Sequence, residues 1–496
     1  AASLATPGPG DAATARLLLE ALHVSGPSSA ATAAEVVGRA QAAGLGVAWQ
    51  EHVPAARHAL PGEALRELAA RHGATPTPAQ ERDLAALDAL DEPLRGALTR
   101  TVDAFLDLDA ASRAAFAAPA AGAVLPDVLA ARAALVEAIG ELRDARIAAS
   151  KSHAPTLQMP PVFSIDLENT PDAYAATEPF VLVIDAGGSD LYLNNAGGNN
   201  LGAGNACPDV LFSAPPPSRV NVPATALVDL GNGDDRYGSA ATPRSCGANG
   251  GAVEGVGLLL DEGGNDTYLG GGYGVNGGGA FGGIGALLDL AGNDAYSVAG
   301  AGTNGGGSTT NFGLPGVGFL LDLRGNDTYS AYGYGVNGGA YGASSALQGG
   351  SQGFLVDGAG DDVYDAGTYG TRGVNGGAVA ARGFLLDRAG NDTYLADDIG
   401  VNGGAITGTG FLLDGDGNDE YAARGANGVN GGASQAVALL LDARGFDSYQ
   451  EGAGPACANT TDPSSCVVVP KGTLGAQLDA DCRLVFSPTV CGILSL

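Results

Sequence analysis

Basic residues are scarce in this chain of 496 residues. Lys and Arg total 24 against 54 Asp and Glu, a formal net charge of −30. That balance excludes binding to nucleic acid or to an anionic membrane through a basic face, and it favours metal cations as partners. Lysine occurs only at Lys151 and Lys471, and the last of the five histidines is His153. Long apolar runs are missing too, so no transmembrane helix is expected. No HExxH, GxSxG or phosphate-loop motif is present, and no nucleophile–base constellation stands out. Charged residues at only 16% and hydrophobic residues at 45% exclude disorder throughout.

Cysteine is sparse and never in a CxxC pair, which removes support for zinc ribbons and c-type haem. The six are Cys207, Cys246, Cys457, Cys466, Cys482 and Cys491. An even count at wide spacing favours disulfides and an oxidising compartment. The opening Ala1-Ala2-Ser3 reads as a terminus left after removal of a leader, so an extracellular or cell-surface location is expected. Cys207 and Cys246 fall in the longest insertions, and a bridge between them would tie two loops together. The other four suggest a stapled C-terminal cap, with Cys457–Cys466 and Cys482–Cys491 the favoured sequence-local pairs.

Glycine divides the chain. Residues 1–154 hold 11 of the 81 glycines, whereas 181–454 hold 67. The first block reads as a helical domain. Thr77-Pro78-Ala79-Gln80 is a capping box with proline at the first helical position. Leu129, Leu135, Val136, Ile139 and Leu142 form one stripe at helical spacing. His52 and His58 lie in this block without a partner motif for a metal, and read as ordinary surface or capping residues. Residues 155–180 contain no glycine and several prolines, and read as an extended linker.

The second block, 181–452, is a repeat. Two or three apolar residues lead into Asp, then a Gly-Asn-Asp-like turn, one residue, and Tyr. Leu258-Leu259-Leu260-Asp261-Glu262-Gly263-Gly264-Asn265-Asp266-Thr267-Tyr268 is one copy. The tyrosines are Tyr192, Tyr237, Tyr268, Tyr296, Tyr329, Tyr364, Tyr394, Tyr421 and Tyr449. Asn-Gly-Gly follows most of them, at Asn249, Asn276, Asn304, Asn337, Asn375, Asn402 and Asn430. Three short extended pieces per period predict a mainly β protein. The expected architecture is a parallel β-solenoid of about nine coils of 27–45 residues, with the N-terminal α-helical domain and, at 453–496, the stapled cap. Positions −1 and −3 before the first Asp are expected to face inward. Position −2, also apolar, then either faces out under the helical block or turns in at a bulge.

Each coil carries two aspartates around its turn: Asp185/Asp190, Asp229/Asp235, Asp261/Asp266, Asp289/Asp294, Asp322/Asp327, Asp357/Asp362, Asp387/Asp392, Asp414/Asp419 and Asp442/Asp447. Stacked coils bring like charges within about 5 Å, at a cost on the order of a kcal/mol per neighbour. The repeats contain no lysine to offset it. The carboxylates must therefore shift their pKa, cap turn amides, or share a cation, and hard oxygen ligands in tight turns suit calcium. The Asn-Gly-Gly row reads as an asparagine ladder or a row of left-handed turns.

Gly-Gly-Asn-Asp-Thr-Tyr at 263–268, and Gly-Asn-Asp-Thr-Tyr at 325–329 and 390–394, resemble half of the repeats-in-toxin calcium nonapeptide. The resemblance covers about a fifth of each repeat and implies calcium held by turn carbonyls and Asp carboxylates of adjacent coils. The period near thirty differs from that family's eighteen. The functional expectation is an exported, calcium-stabilised solenoid with a structural or adhesive role, self-assembling into a surface layer or filament. A polysaccharide-active, lyase-like β-helix is the alternative, with Arg236, Arg372 and Arg424 as its only comparable groups. A passive module for cell-surface glycans is the third.

Overall fold

The computed structural model describes residues 29–44, 49, 52–54, 57–117, 125–149, 156–201, 222–238, 245–309, 315–342, 351–367, 372–397, 400–424, 430–431, 433–434, 436–451, 457–458 and 474–479. Five helices come first: α1 Ser29–Gly44, α2 Pro61–Arg71, α3 Pro78–Asp88, α4 Leu94–Phe116 and α5 Leu125–Ala148. The capping box opens α3 as expected: Gln80 N–H donates to the Thr77 hydroxyl (3.3 Å) and Thr77 N–H to the Gln80 side chain (2.9 Å). Helix α4 buries Leu94, Leu98, Val102, Phe105 and Leu106, and α5 buries the expected stripe Leu129, Leu135, Val136, Ile139 and Leu142. At 23 and 24 residues these two are each about 35 Å long. No helix among the described residues is long and apolar enough to cross a membrane.

The rest is a stack of parallel strands wound as a β-solenoid. One sheet of twelve strands runs from Leu157–Met159 to Leu474–Asp479, and only its opening pair is antiparallel. A second sheet carries the tyrosines. The third has seven short strands, from Ala252–Val253 to Ala433–Ser434. Register is strict: Leu259 pairs with Leu287, Asp261 with Asp289, and Tyr268 with Tyr296. The expected nine coils become about seven complete turns. A third side exists only where an Asn-Gly-Gly corner turns the chain, and there are seven such corners; an Asp–Tyr segment alone makes two sides.

The stretch expected to be a linker is built into the solenoid. Phe163–Ile165 pairs with Leu182–Asp185, and Ala173–Tyr174 with Leu191–Tyr192. Asp166, Asp172 and Tyr174 repeat the spacing of Asp229, Asp235 and Tyr237, so this is a further copy without glycine. Similarly, Asp479 falls in register with Asp442.

The two apolar rows of the first sheet are exchanged relative to expectation. Position −2 (Val183, Leu227, Leu259, Leu287, Leu320, Leu355, Leu385, Leu412, Leu440) faces inward and packs with the tyrosine column. Positions −1 and −3, such as Leu258, Leu260, Leu288, Phe319 and Phe354, share a core with the helices. The first Asp decides this. Its carboxylate turns inward to meet the tyrosine hydroxyls, and residues two apart in a strand share a side. The sheet is thus covered on both faces, as a strand apolar throughout requires. The helices are pinned to it by Gln41, which donates to the Gly318 carbonyl (3.3 Å), and by the buried Arg132, which donates to the Gln41 side chain (2.7 Å) and lies 5.6 Å from the Phe319 ring centre.

Each Asn-Gly-Gly corner combines both expected features. Asn249 to Asn402 adopt φ of 43–49°, and each side-chain amide donates to the next, from Asn249 through Asn430, at 2.8–3.1 Å. The following glycine is obligatory: at Gly277 (φ +67°) a Cβ would lie 2.2 Å from the Phe319 carbonyl.

Candidate metal centre

The strand that ends in the first Asp of each coil delivers that side chain into the interior, against the tyrosines. Ten tyrosines, Tyr174 to Tyr449, stack with ring centres 4.7–4.9 Å apart and planes within 9°. From Tyr174 to Tyr421, each hydroxyl reaches the Oδ2 of the next coil's first Asp: Tyr268 to Asp289 (2.6 Å), Tyr296 to Asp322 (2.7 Å), Tyr329 to Asp357 (2.7 Å). The same hydroxyls lie 3.2 Å from the first Asp of their own coils, Asp261, Asp289 and Asp322. The Oδ1 of Asp185, Asp229, Asp261, Asp289, Asp322 and Asp387 accepts the N–H two residues ahead, closing the turn.

The second Asp of each coil lies on the turn that follows. Its Oδ1 accepts the backbone N–H of the second Asp one coil earlier, as Asp266 N–H to Asp294 (2.6 Å), Asp294 to Asp327 (2.6 Å) and Asp392 to Asp419 (2.7 Å). The other oxygen has no donor. Oδ2 of Asp190, Asp235, Asp266, Asp294, Asp327, Asp362, Asp392 and Asp419 is buried without a hydrogen-bond partner. Of the eighteen aspartates singled out in the sequence, all are at most 3% exposed.

The last pair follows the same hydrogen-bonding pattern. Asp442 still meets the Tyr421 and Tyr449 hydroxyls, each at 3.1 Å. Asp447 is the second Asp of this pair. It accepts the Asp419 N–H at 3.0 Å, against 2.5–2.7 Å for the links before it. No second aspartate of a further coil stacks on Asp447 among the described residues. The chain after Tyr449 returns antiparallel at Cys457–Ala458, so the parallel stacking that builds the column stops there.

The orphaned oxygens converge. Asp190, Asp229 and Asp235 offer oxygens within 4.8 Å of one another. So do Asp235/Asp261/Asp266, Asp266/Asp289/Asp294, Asp294/Asp322/Asp327 and Asp327/Asp357/Asp362, with three further groups. Each of these five takes the second Asp of one coil and both aspartates of the next. Asp235, Asp266, Asp294 and Asp327 each belong to two groups. This sharing was not visible in the sequence, which shows pairs within a coil but not which pairs meet.

No basic side chain answers this charge among the described residues. Burial, then the neighbouring carboxylates, push the acids upward: Asp261 to about 7, Asp235 to about 9 and Asp266 to about 11. Asp294 is raised to about 8, by burial first. Asp289, Asp322 and Asp357 are driven well above the carboxylate range for the same reasons. Left alone, the columns must hold protons near neutrality. A hard divalent cation removes that need, since three carboxylate oxygens and no nitrogen or sulfur converge at each group. The residues present therefore fit calcium.

The histidines lie elsewhere, in an ion-pair network. His58 has Nδ1 2.6 Å from Asp103 and Nε2 3.1 Å from Glu67; His52 Nε2 is 3.2 Å from Asp107. They strap the segment before α2 onto α4. Among the cysteines, Cys246 is disulfide-bonded, and its partner lies outside the described residues. The side chains of Cys207, Cys457, Cys466, Cys482 and Cys491 also lie outside them, so the described residues give no support to a stapled cap. The turn asparagines Asn265, Asn293, Asn391 and Asn418 are exposed and form an outer ladder, as in Asn293 to Asn265 (3.0 Å) and Asn418 to Asn391 (2.9 Å).

No protein-family model matches this sequence, and no curated protein and no solved structure matches it either.

Proposed function

We propose that the protein is an exported β-solenoid, stabilised by calcium, with a structural or adhesive role. One observation carries this reading: a repeating set of three buried carboxylates with an orphaned oxygen and no basic partner. Asp190, Asp235, Asp266, Asp294, Asp327 and Asp362, with the intervening first aspartates, would hold the ions. Bound calcium supplies the positive charge that the columns lack. One divalent ion per coil balances the two carboxylates that each coil adds. The likeness of the Gly-Asn-Asp-x-Tyr turns to repeats-in-toxin sequences supports the same ion class. The carboxylates are occupied by tyrosine hydroxyls and turn amides, which suits a scaffold better than an acid–base site.

Calorimetry tests the proposal. Thorough chelation at pH 7.5 should lower the melting temperature, calcium should restore it, and magnesium should restore it poorly because it tolerates fewer geometries. An unchanged melt after chelation would sink the calcium assignment. Self-assembly through the open end of the rod would appear as calcium-dependent growth in light scattering; a protein monomeric at high concentration removes that part.

A further inference from the structure

The interior of the second sheet holds ten tyrosines in one unbroken file. Between Tyr174 and Tyr449 there are nine steps of 4.7–4.9 Å, so the file is about 43 Å long. Its end members are 2% and 3% exposed, and the eight between them are sealed from solvent. Every hydroxyl has a carboxylate oxygen 2.5–3.1 Å away, within reach of its proton. Other side chains that compete for an oxidising equivalent are kept out. The packing around the rings is Phe180, Ala196 and a row of Val and Leu. Trp49 and Met159, the only Trp and Met of the chain, pack in the core shared with the helices. Cys246 lies in a separate small cluster. Turn support accounts for each ring and hydroxyl one coil at a time. Continuity over the whole rod, dry and free of competing side chains, is a property of the file.

We propose that this file conducts oxidising equivalents along the rod, a phenoxyl radical hopping from ring to ring. The co-reactant is a one-electron oxidant strong enough to oxidise a phenol, acting at one end. It takes an electron from Tyr449 and is itself reduced by one. The O–H bond of Tyr449 breaks as its proton crosses to Asp442 Oδ2, which leaves a phenoxyl radical beside a neutral carboxyl. Each later hop repeats one exchange. With the radical on Tyr329, the Tyr296 ring 4.8 Å away gives up an electron, and the Tyr296 proton crosses 2.7 Å to Asp322 Oδ2. Tyr329 takes that electron and recovers its own proton from Asp357 Oδ2. One electron has moved one coil toward the oxidant, and no atom has left the file. Passing the proton along its hydrogen bond avoids a phenol cation, which a dry interior would penalise heavily. This activity goes beyond the structural role, and the rings and hydrogen bonds that carry it are not the groups that would hold the ion on their free oxygens.

The experiment uses the full-length protein with calcium present. An azide-bearing residue at position 448, where Ser448 is exposed beside Tyr449, carries a ruthenium polypyridyl photo-oxidant. An aminotyrosine in place of Tyr174 is the radical trap at the far end. A flash with a soluble electron acceptor should produce the aminotyrosyl radical, followed by transient absorption and electron paramagnetic resonance. Moving the oxidant to position 328, where Thr328 is exposed beside Tyr329 and nearer the trap, should change the rate of arrival by less than about ten-fold. Tyr296→Phe keeps a ring in place but removes the phenol, and should slow arrival from position 448 by about ten-fold or more. Tyr332→Phe, outside the file, should leave it unchanged. Near-ultraviolet circular dichroism confirms that each sample is folded. No trap radical in a folded protein, a rate indifferent to Tyr296→Phe, or a larger drop between the two attachment points overturns the conduit and leaves the scaffold standing. Failure of the calcium reading shows separately, as a melt that chelation does not move.

Discussion

Removal of divalent cations should invert the way this protein responds to pH. In the cation-free solenoid, Asp261 holds its proton up to about pH 7, Asp294 and Asp362 to about 8, Asp235 to about 9 and Asp266 to about 11. In the unfolded chain each releases it near about pH 3.9. The native state therefore binds more protons than the unfolded state above pH 4. Its stability is fully present below the unfolded value and falls as pH rises toward the native values. Each retained proton costs about 1.4 kcal/mol per pH unit. Neighbouring carboxyls share this cost, so even two retained protons lower stability by about 3 kcal/mol per unit between pH 4 and 7. A folded domain has only about 5–15 kcal/mol in total. The chelated protein should thus melt at a lower temperature with each step from pH 5 to pH 8. With saturating calcium the sign reverses, because the ion displaces the protons and binds better as they leave. Circular dichroism melts at pH 5, 6, 7 and 8, with chelator and with calcium, provide the assay. A chelated protein whose melting temperature is flat or rises between pH 5 and 8 refutes the reasoning.

Two substitutions probe the same columns at single positions. Asp294 belongs to two carboxylate groups and Asp289 to one, so Asp294→Asn should lower the number of calcium ions bound by about two and Asp289→Asn by about one, read by equilibrium dialysis with metal analysis. Equal losses from both would show that the groups are not shared. Tyr329→Phe removes the hydroxyl that donates to Asp357 (2.7 Å) and should cost about 1.5–3 kcal/mol in chemical denaturation; a cost below about 0.5 kcal/mol would mean that the hydroxyl is not needed there.

Much of this architecture is legible in the sequence because the Asp-to-Tyr segment has nearly constant length. Constant length means stacking, and stacking places Asp on Asp and Tyr on Tyr. The Asn-Gly-Gly row was readable for a similar reason: few other residues accept a left-handed turn at a tight corner. The copy at Asp166, Asp172 and Tyr174 has no glycine, so composition conceals what its spacing carries. The exchange of the two apolar rows was unreadable from hydrophobicity, since Leu258, Leu259 and Leu260 are alike. Only the partner of Asp261, the hydroxyls of Tyr237 and Tyr268, tells which side is inside. Arg132 and Gln41 sit in an ordinary helical pattern, and nothing local marks them as the pins between two layers.

The helical cover has a consequence for the order in which the molecule is made. Synthesis runs from the N-terminus, and segments near it are the first free to fold. Helices α1 to α5 therefore precede every strand that they shelter. Each new coil presents Leu258 and Leu260, then Leu288, then Phe319 and Leu321, to a surface already assembled. The solenoid grows beneath a roof built in advance, and the apolar side of each added strand has a destination as soon as it appears. A circular permutant that moved the helices to the C-terminus would keep every contact of the finished protein but leave that side of the growing sheet bare until the end.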